Sequence, residues 1–137
     1  MTTPFRPLPA PGDFVWCHFP EVIGNPGPKA RPALVVAVFE DDHAVRIAYG
    51  TTRKTEKLYP GEFVLDPSDA GFALSGLAQR TKFDLNNEVQ VYFDSDWFAP
   101  NQSVYASTPL PKMGRLDIEY YPVVQKAAEA KAKRIKK

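Results

Sequence analysis

From residue 12 onward the chain alternates short apolar runs with polar breaks, and most breaks carry glycine, proline or paired polar residues. "GDFVWCHF" (12–19) is rich in aromatic and β-favouring side chains and predicts a first strand. "ALVVAVFE" (33–40) predicts a buried strand, "DDHA" a turn, and "VRIAYGT" (45–51) the returning arm of a hairpin. "EFVLD" (62–66) predicts a fourth strand. "LAQRTKFDL" (77–85) and "EVQVYF" (88–93) predict two more, joined near Asn86 and Asn87. Residues 20–32 hold four prolines and two glycines and predict a long loop, a kind that is often functional. "PSDAGFALSG" reads as a connection with a helical turn after Asp66 or Ser68, and residues 94–102 read as loop. From Gly114 the pattern turns helical, with Pro122 limiting the uninterrupted helix to about Tyr121 onward.

Short strands followed by one helix predict a mainly β (α+β) fold, a small twisted β-barrel with a C-terminal helix. Residues 1–11, with four prolines, predict an extended arm, and residues 12–137 a single domain that includes the basic terminal helix. No internal repeat interrupts it. With 44% hydrophobic and 12% aromatic residues, the chain can bury a core without metal or disulfide staples. One cysteine, Cys17, excludes an internal disulfide and fits a reducing compartment. The first residues lack an apolar leader, and the longest apolar run, 33–39, is too short to span a bilayer. A cytoplasmic protein without membrane contacts is expected.

Charge changes the picture only at one end. Residues 126–137 carry six basic residues and one acid, a net +5, so the other 125 residues carry −4. Such a tail can draw a phosphate polymer or an acidic partner, and equally suits the C-terminal end of a helix dipole. Any contact between the body and RNA must therefore be local.

The usual reactive residues offer little. His43 lies in the acidic turn "EDDHA" and reads as a solvated turn residue; His18 shares a strand face with Phe14 and Trp16 and reads as a partly buried strand histidine. Cys17 reads as a small buried hydrophobe. No Cys or His pair has metal-ligand spacing, and no cofactor motif is present. What remains is a cluster. A hairpin from Pro32 to Thr51 brings Arg31 and Thr51 to the same open end, followed at once by Thr52, Arg53 and Lys54. A guanidinium presents a planar fork of donors suited to phosphate oxygens, and threonine hydroxyls add short ones. A surface arginine ending a strand beside a threonine-rich turn fits the same residues.

The order of the motifs adds a resemblance. "GDFVWCHF", a glycine-containing loop, "RPALVV", a strand ending in "TT", "YPGEFVL", "GLAQRTKFD" and "GRL" before a terminal helix resemble the MazF/PemK family of toxins from toxin–antitoxin pairs, over about residues 12–120. The resemblance implies an SH3-like barrel and a homodimer. It implies metal-independent cleavage of single-stranded RNA and neutralisation by a cognate antitoxin whose tail covers the RNA groove. It places Arg31 and Thr51 on the family's catalytic arginine and threonine, with Thr52 beside them. Gln79 falls where several members carry aspartate, in a segment lining the RNA site that continues through Arg80 and Lys82. Arg53 joins these as a substrate contact, and Trp97, Phe98 or Tyr49 can stack on bases. Two other classes fit the same chain: a same-barrel toxin that poisons a protein such as DNA gyrase through its terminal helix, and a non-catalytic SH3-like interaction module.

Overall fold

The computed structural model describes residues 2–19, 26–27, 29–99 and 111–135. Much of the proline-rich loop (residues 20–25 and 28) and the end of the basic tail (136 and 137) lie outside them. The strands are β1 (Asp13–Cys17), β2 (Arg31–Phe39), β3 (Ala44–Thr51), β4 (Glu62–Leu65), β5 (Thr81–Tyr92) and β6 (Lys112–Arg115), followed by α1 (Tyr121–Ile135). They form one antiparallel sheet in the order β4-β5-β3-β2-β1-β6, curled into half a barrel. The predicted mainly β architecture with a terminal helix is the one observed.

Two expected elements differ. The strands expected at 77–85 and 88–93 are one strand, β5. Its register against β3 jumps from Tyr49–Asp84 to Ala48–Glu88, so three residues, Leu85, Asn86 and Asn87, are looped out without turning the chain. Asn86 is held in place by donating from Nδ2 to Pro60 O (2.7 Å) and Asp84 Oδ1 (3.0 Å). The second difference is β6, which takes in Gly114 and Arg115, where the sequence pattern turns helical. Gly114 permits it: a Cβ there would lie 2.3 Å from the Ser75 carbonyl. The strand runs against the backbone of the short 3₁₀ turn Phe72–Ser75.

The sheet carries a core on each face. Phe14, Leu34, Ala48, Phe63, Leu65, Phe83 and Leu85 pack on the first, where Tyr120 and Ala127 bring the terminal helix down onto them. Pro122 sits in the first turn of α1, where a missing N–H costs no intrahelical bond. Lys131 Nζ reaches Glu88 Oε2 at 2.8 Å and ties the helix to β5. Val15, Cys17, Ala33, Val35, Val45, Ile47, Val91 and Phe98 form the second core. The N-terminal segment covers part of it. Phe5 and Leu8 pack there, Phe5 N–H donates to Phe93 O (3.0 Å), and Pro4 bridges to Asp94. His43, expected to be a solvated turn residue, is half-buried, and its Nε2 lies 2.8 Å from Phe5 O. It closes the hairpin turn in the left-handed region (φ 50°) and fastens the arm. Cys17 is fully buried, and that burial pushes its thiol pKa far up, so it is a core residue.

Candidate active site

The β2–β3 hairpin sets the site. Ala33 pairs with Tyr49, and two residues further on the facing strands end in Arg31 and Thr51. The strands stay close there because of Gly50. Its missing side chain makes room for the Phe83 ring and for Pro32 O, which a Cβ would meet at 2.6 and 2.8 Å. Arg31 in turn pairs with Cys17 on β1, and Thr51 with Lys82 on β5. Strand alternation puts Arg31, Thr51 and Lys82 in one row on the face of the second core. Tyr49 occupies the next row of that face, half-buried against Phe19 at 4.9 Å between ring centroids.

The cations around this row divide by what they already hold. Arg31 is half-buried, and among the described residues its guanidinium has no hydrogen-bond or ion-pair partner. Thr52 and Arg53 are exposed. The Arg53 N–H donates to Thr51 Oγ1 at 3.1 Å, which fixes the threonine side chain and leaves its O–H free to donate. Gln79 is also exposed, and its carbonyl accepts from Thr81 Oγ1 (2.8 Å). Arg80 and Lys82 are different. Arg80 donates to Asp66 Oδ2 (2.6 Å) and to Thr55 O (3.2 Å). Lys82 is buried, donates to Lys54 O (3.1 Å) and Lys57 O (3.0 Å), and lies 3.6 Å from Glu62 Oε1. Of the aromatics considered for stacking, Phe98 is buried in the second core and Trp97 packs against it, which leaves Tyr49 the best placed beside the row.

Sequence reasoning passed over two carboxylates on this face. Glu62 and Asp84 pair directly across β4 and β5, and Asp84 also pairs with Tyr49. Like charges so placed repel, and Lys82 Nζ, 3.6 Å from Glu62 Oε1, offsets the charge of Glu62. The alternation of Lys82 and Asp84 with buried Phe83 and Leu85 marks them as sharing a face, but nothing local marks Glu62 as their neighbour. Outside the row, Ser68 and then Arg80 hydrogen-bond the Asp66 carboxylate and hold its pKa at about 2. Among the described residues no group of three His, Cys, Asp or Glu side chains could hold a metal ion, and no helix is long and apolar enough to cross a membrane.

The fold is thus a curled antiparallel sheet with a terminal helix, carrying an uncommitted arginine opposite a threonine at a hairpin's open end. No family profile and no curated protein matches the sequence. Solved structures do resemble it. One is an endoribonuclease in complex with its cognate antitoxin from a mycobacterial species, at 15% identity and TM-score 0.55 over 91% of this chain and 95% of that one. Another is a mycobacterial endoribonuclease at 14% identity and TM-score 0.57, over 94% and 95% of the two chains. At such identities the likeness is one of fold, and it is the fold that the motif order implied.

Proposed function

We propose that this chain is a toxin-type endoribonuclease that cuts single-stranded RNA without a metal and is neutralised by a cognate antitoxin. The observation that carries the reading is the division of cations just described: Arg31, half-buried beside Thr51, has its donors uncommitted. The resemblance in fold to endoribonucleases, one of them bound to an antitoxin, supports it. In the reaction the RNA's own 2′-oxygen bonds to phosphorus and gives up its proton. The bond from phosphorus to the 5′-oxygen breaks, and that oxygen takes up a proton. Arg31 stabilises the charge that grows on the phosphoryl oxygens, and Thr51 O–H donates to one of them. Thr52, Arg53 and Gln79 line the path of the strand, and Tyr49 offers a ring to a flanking base.

Incubating the purified protein with a mixed-sequence RNA in EDTA tests this. New ends carrying 2′,3′-cyclic phosphates are expected. Failure to cut in EDTA and in magnesium alike removes the nuclease reading, and an absolute need for magnesium removes the mechanism.

The reading includes a homodimer. Between β4 and α1 lies a groove of about 820 Å³, and Leu58, Tyr59 and Val123 are exposed around it. Pairing two chains about a two-fold axis would cover such a patch. Sedimentation at micromolar concentration is expected to give twice the 15.3 kDa of one chain. A cleaving species at the monomer mass would rule the shared groove out.

A further inference from the structure

We propose that Arg80 and Lys82 form a two-cation clamp on the loop that follows Thr51, and that they serve cleavage as positioning residues rather than as RNA ligands. The inference rests on the ribonuclease reading for its functional half only.

The clamp is visible in where three backbone carbonyls point. The loop leaves β3 at Thr51 and returns to β4 at Glu62. Along it the carbonyls of Lys54 and Lys57 accept from Lys82 Nζ, and that of Thr55 accepts from Arg80 Nη2. Lys57 N–H closes back on Lys54 O at 3.2 Å, so one carbonyl serves both the turn and the clamp. Lys54 sits in the left-handed region at φ 52°, an uncommon conformation for a residue with a side chain. Contacts around it must hold it there, and Lys82 is the side chain that bonds its carbonyl. Thr55 is buried with the loop folded in this way. Both cations are anchored from behind: Arg80 by Asp66 at 2.6 Å, and Lys82 by Glu62, whose Oε1 also accepts from Tyr59 N–H (2.7 Å).

This wiring reaches the site through one bond. Lys82 pairs with Thr51 across the sheet, and its ammonium holds Lys54. The preceding residue, Arg53, donates its N–H to Thr51 Oγ1. Lys82 therefore fixes the loop that orients the threonine hydroxyl and presents Thr52 and Arg53. For Lys82 to meet a phosphate it would have to release two carbonyls and leave that of Lys57 without its donor, a loss that works against direct contact.

The experiment compares wild type with Lys82→Met, Lys82→Arg and Arg80→Gln, each by three readouts. Trypsin cuts after Arg53, Lys54 and Lys57 report the loop, because proteolysis tracks local opening. Binding to a 2′-deoxy single-stranded oligonucleotide across a salt series counts phosphate contacts. Single-turnover cleavage of RNA separates kcat from KM. Lys82→Met is expected to speed the loop cuts by roughly tenfold or more. Its kcat should fall by a similar factor with KM nearly unchanged, and its salt slope should match wild type. Lys82→Arg, which can still donate to carbonyls, is expected to restore most of both. If the buried Lys82→Met variant does not fold, Arg80→Gln, at a half-exposed residue, gives the same loop and salt readouts. A wild-type trypsin pattern in the folded variants overturns the clamp. A salt slope flatter by about 0.7 marks a direct phosphate ligand and overturns the positioning role. If wild type neither binds nor cuts RNA, the nuclease reading fails, while the trypsin pattern still decides the clamp.

Discussion

Replacing Arg31 by alanine is expected to leave the protein folded and to stop it cutting RNA. The fold should survive because this side chain supports nothing that can be seen to depend on it. It is half-buried, lies at the first position of β2 rather than in either core, and has no polar partner among the described residues. Cys17, its partner in the ladder, and Ala33, two residues on in β2, are held by their own burial. The catalytic loss should be large because a preorganised donor acts where charge develops, and removing one such donor costs about 2.7–4 kcal/mol, a factor of about 10² to 10³ in rate. Circular dichroism and denaturant midpoints should match wild type, while single-turnover cleavage and growth inhibition collapse together. A folded Arg31→Ala protein that cuts RNA at the wild-type rate would move the site elsewhere. The division of labour on this face makes the result specific. Arg53→Ala removes a charge from an exposed loop, and its main expected effect is weaker, less salt-sensitive binding.

The second large effect concerns Gly76, and it is one of stability. This residue ends the 3₁₀ turn Phe72–Ser75 at φ 75°, and a Cβ there would stand 2.0 Å from the carbonyl oxygen of Met113. Gly114, next along β6, meets the same turn from the other side. Neither contact can be relieved by rotating a side chain, because the opposing atoms are backbone. Gly76→Ala therefore combines a left-handed conformation, costing about 1–2 kcal/mol, with an overlap costing about 1–3 kcal/mol. Edge strand β6 should be pushed away from the turn, exposing Leu116 and Phe72, both nearly buried in the first core. A loss of about 3 kcal/mol is expected in urea unfolding. A variant within about 1 kcal/mol of wild type would show that turn and strand do not touch in this way.

These two positions mark what could and could not be read from the sequence. Arg31 and Thr51 were legible because a hairpin fixes its own ends: two apolar runs and a short acidic turn determine which residues meet. Gly76 and Gly114 were not, because their need for space arises between segments nearly forty residues apart. β6 was missed for a related reason. "KMGR" has no apolar alternation, and it becomes a strand only because β1 offers it an edge and the turn leaves it room. The long β5 was divided in two because Asn86 and Asn87 look like a turn, and a looped-out triplet has the same polar signature. The bulge also disturbs the alternating count, since Phe83 and Leu85 serve the first core while Val89 and Val91 face the second. Arg80 and Lys82 show a further limit. Their type and their common face were apparent, but whether a cation meets phosphate or carbonyl depends on a loop whose path only the fold determines.

The burial of Cys17 has a practical consequence. Its thiol lies in the second core with no exposed surface, and it is the chain's one cysteine. A thiol-reactive dye added to the native protein will therefore wait for an opening event before it can couple. β1 pairs Cys17 with Arg31 on one side and bridges it to Phe98 on the other, so the dye enters when either the strand start or the Phe98 segment lifts. The rate of labelling is then a clock on how often this corner of the second core opens, readable without RNA, antitoxin or any engineered probe.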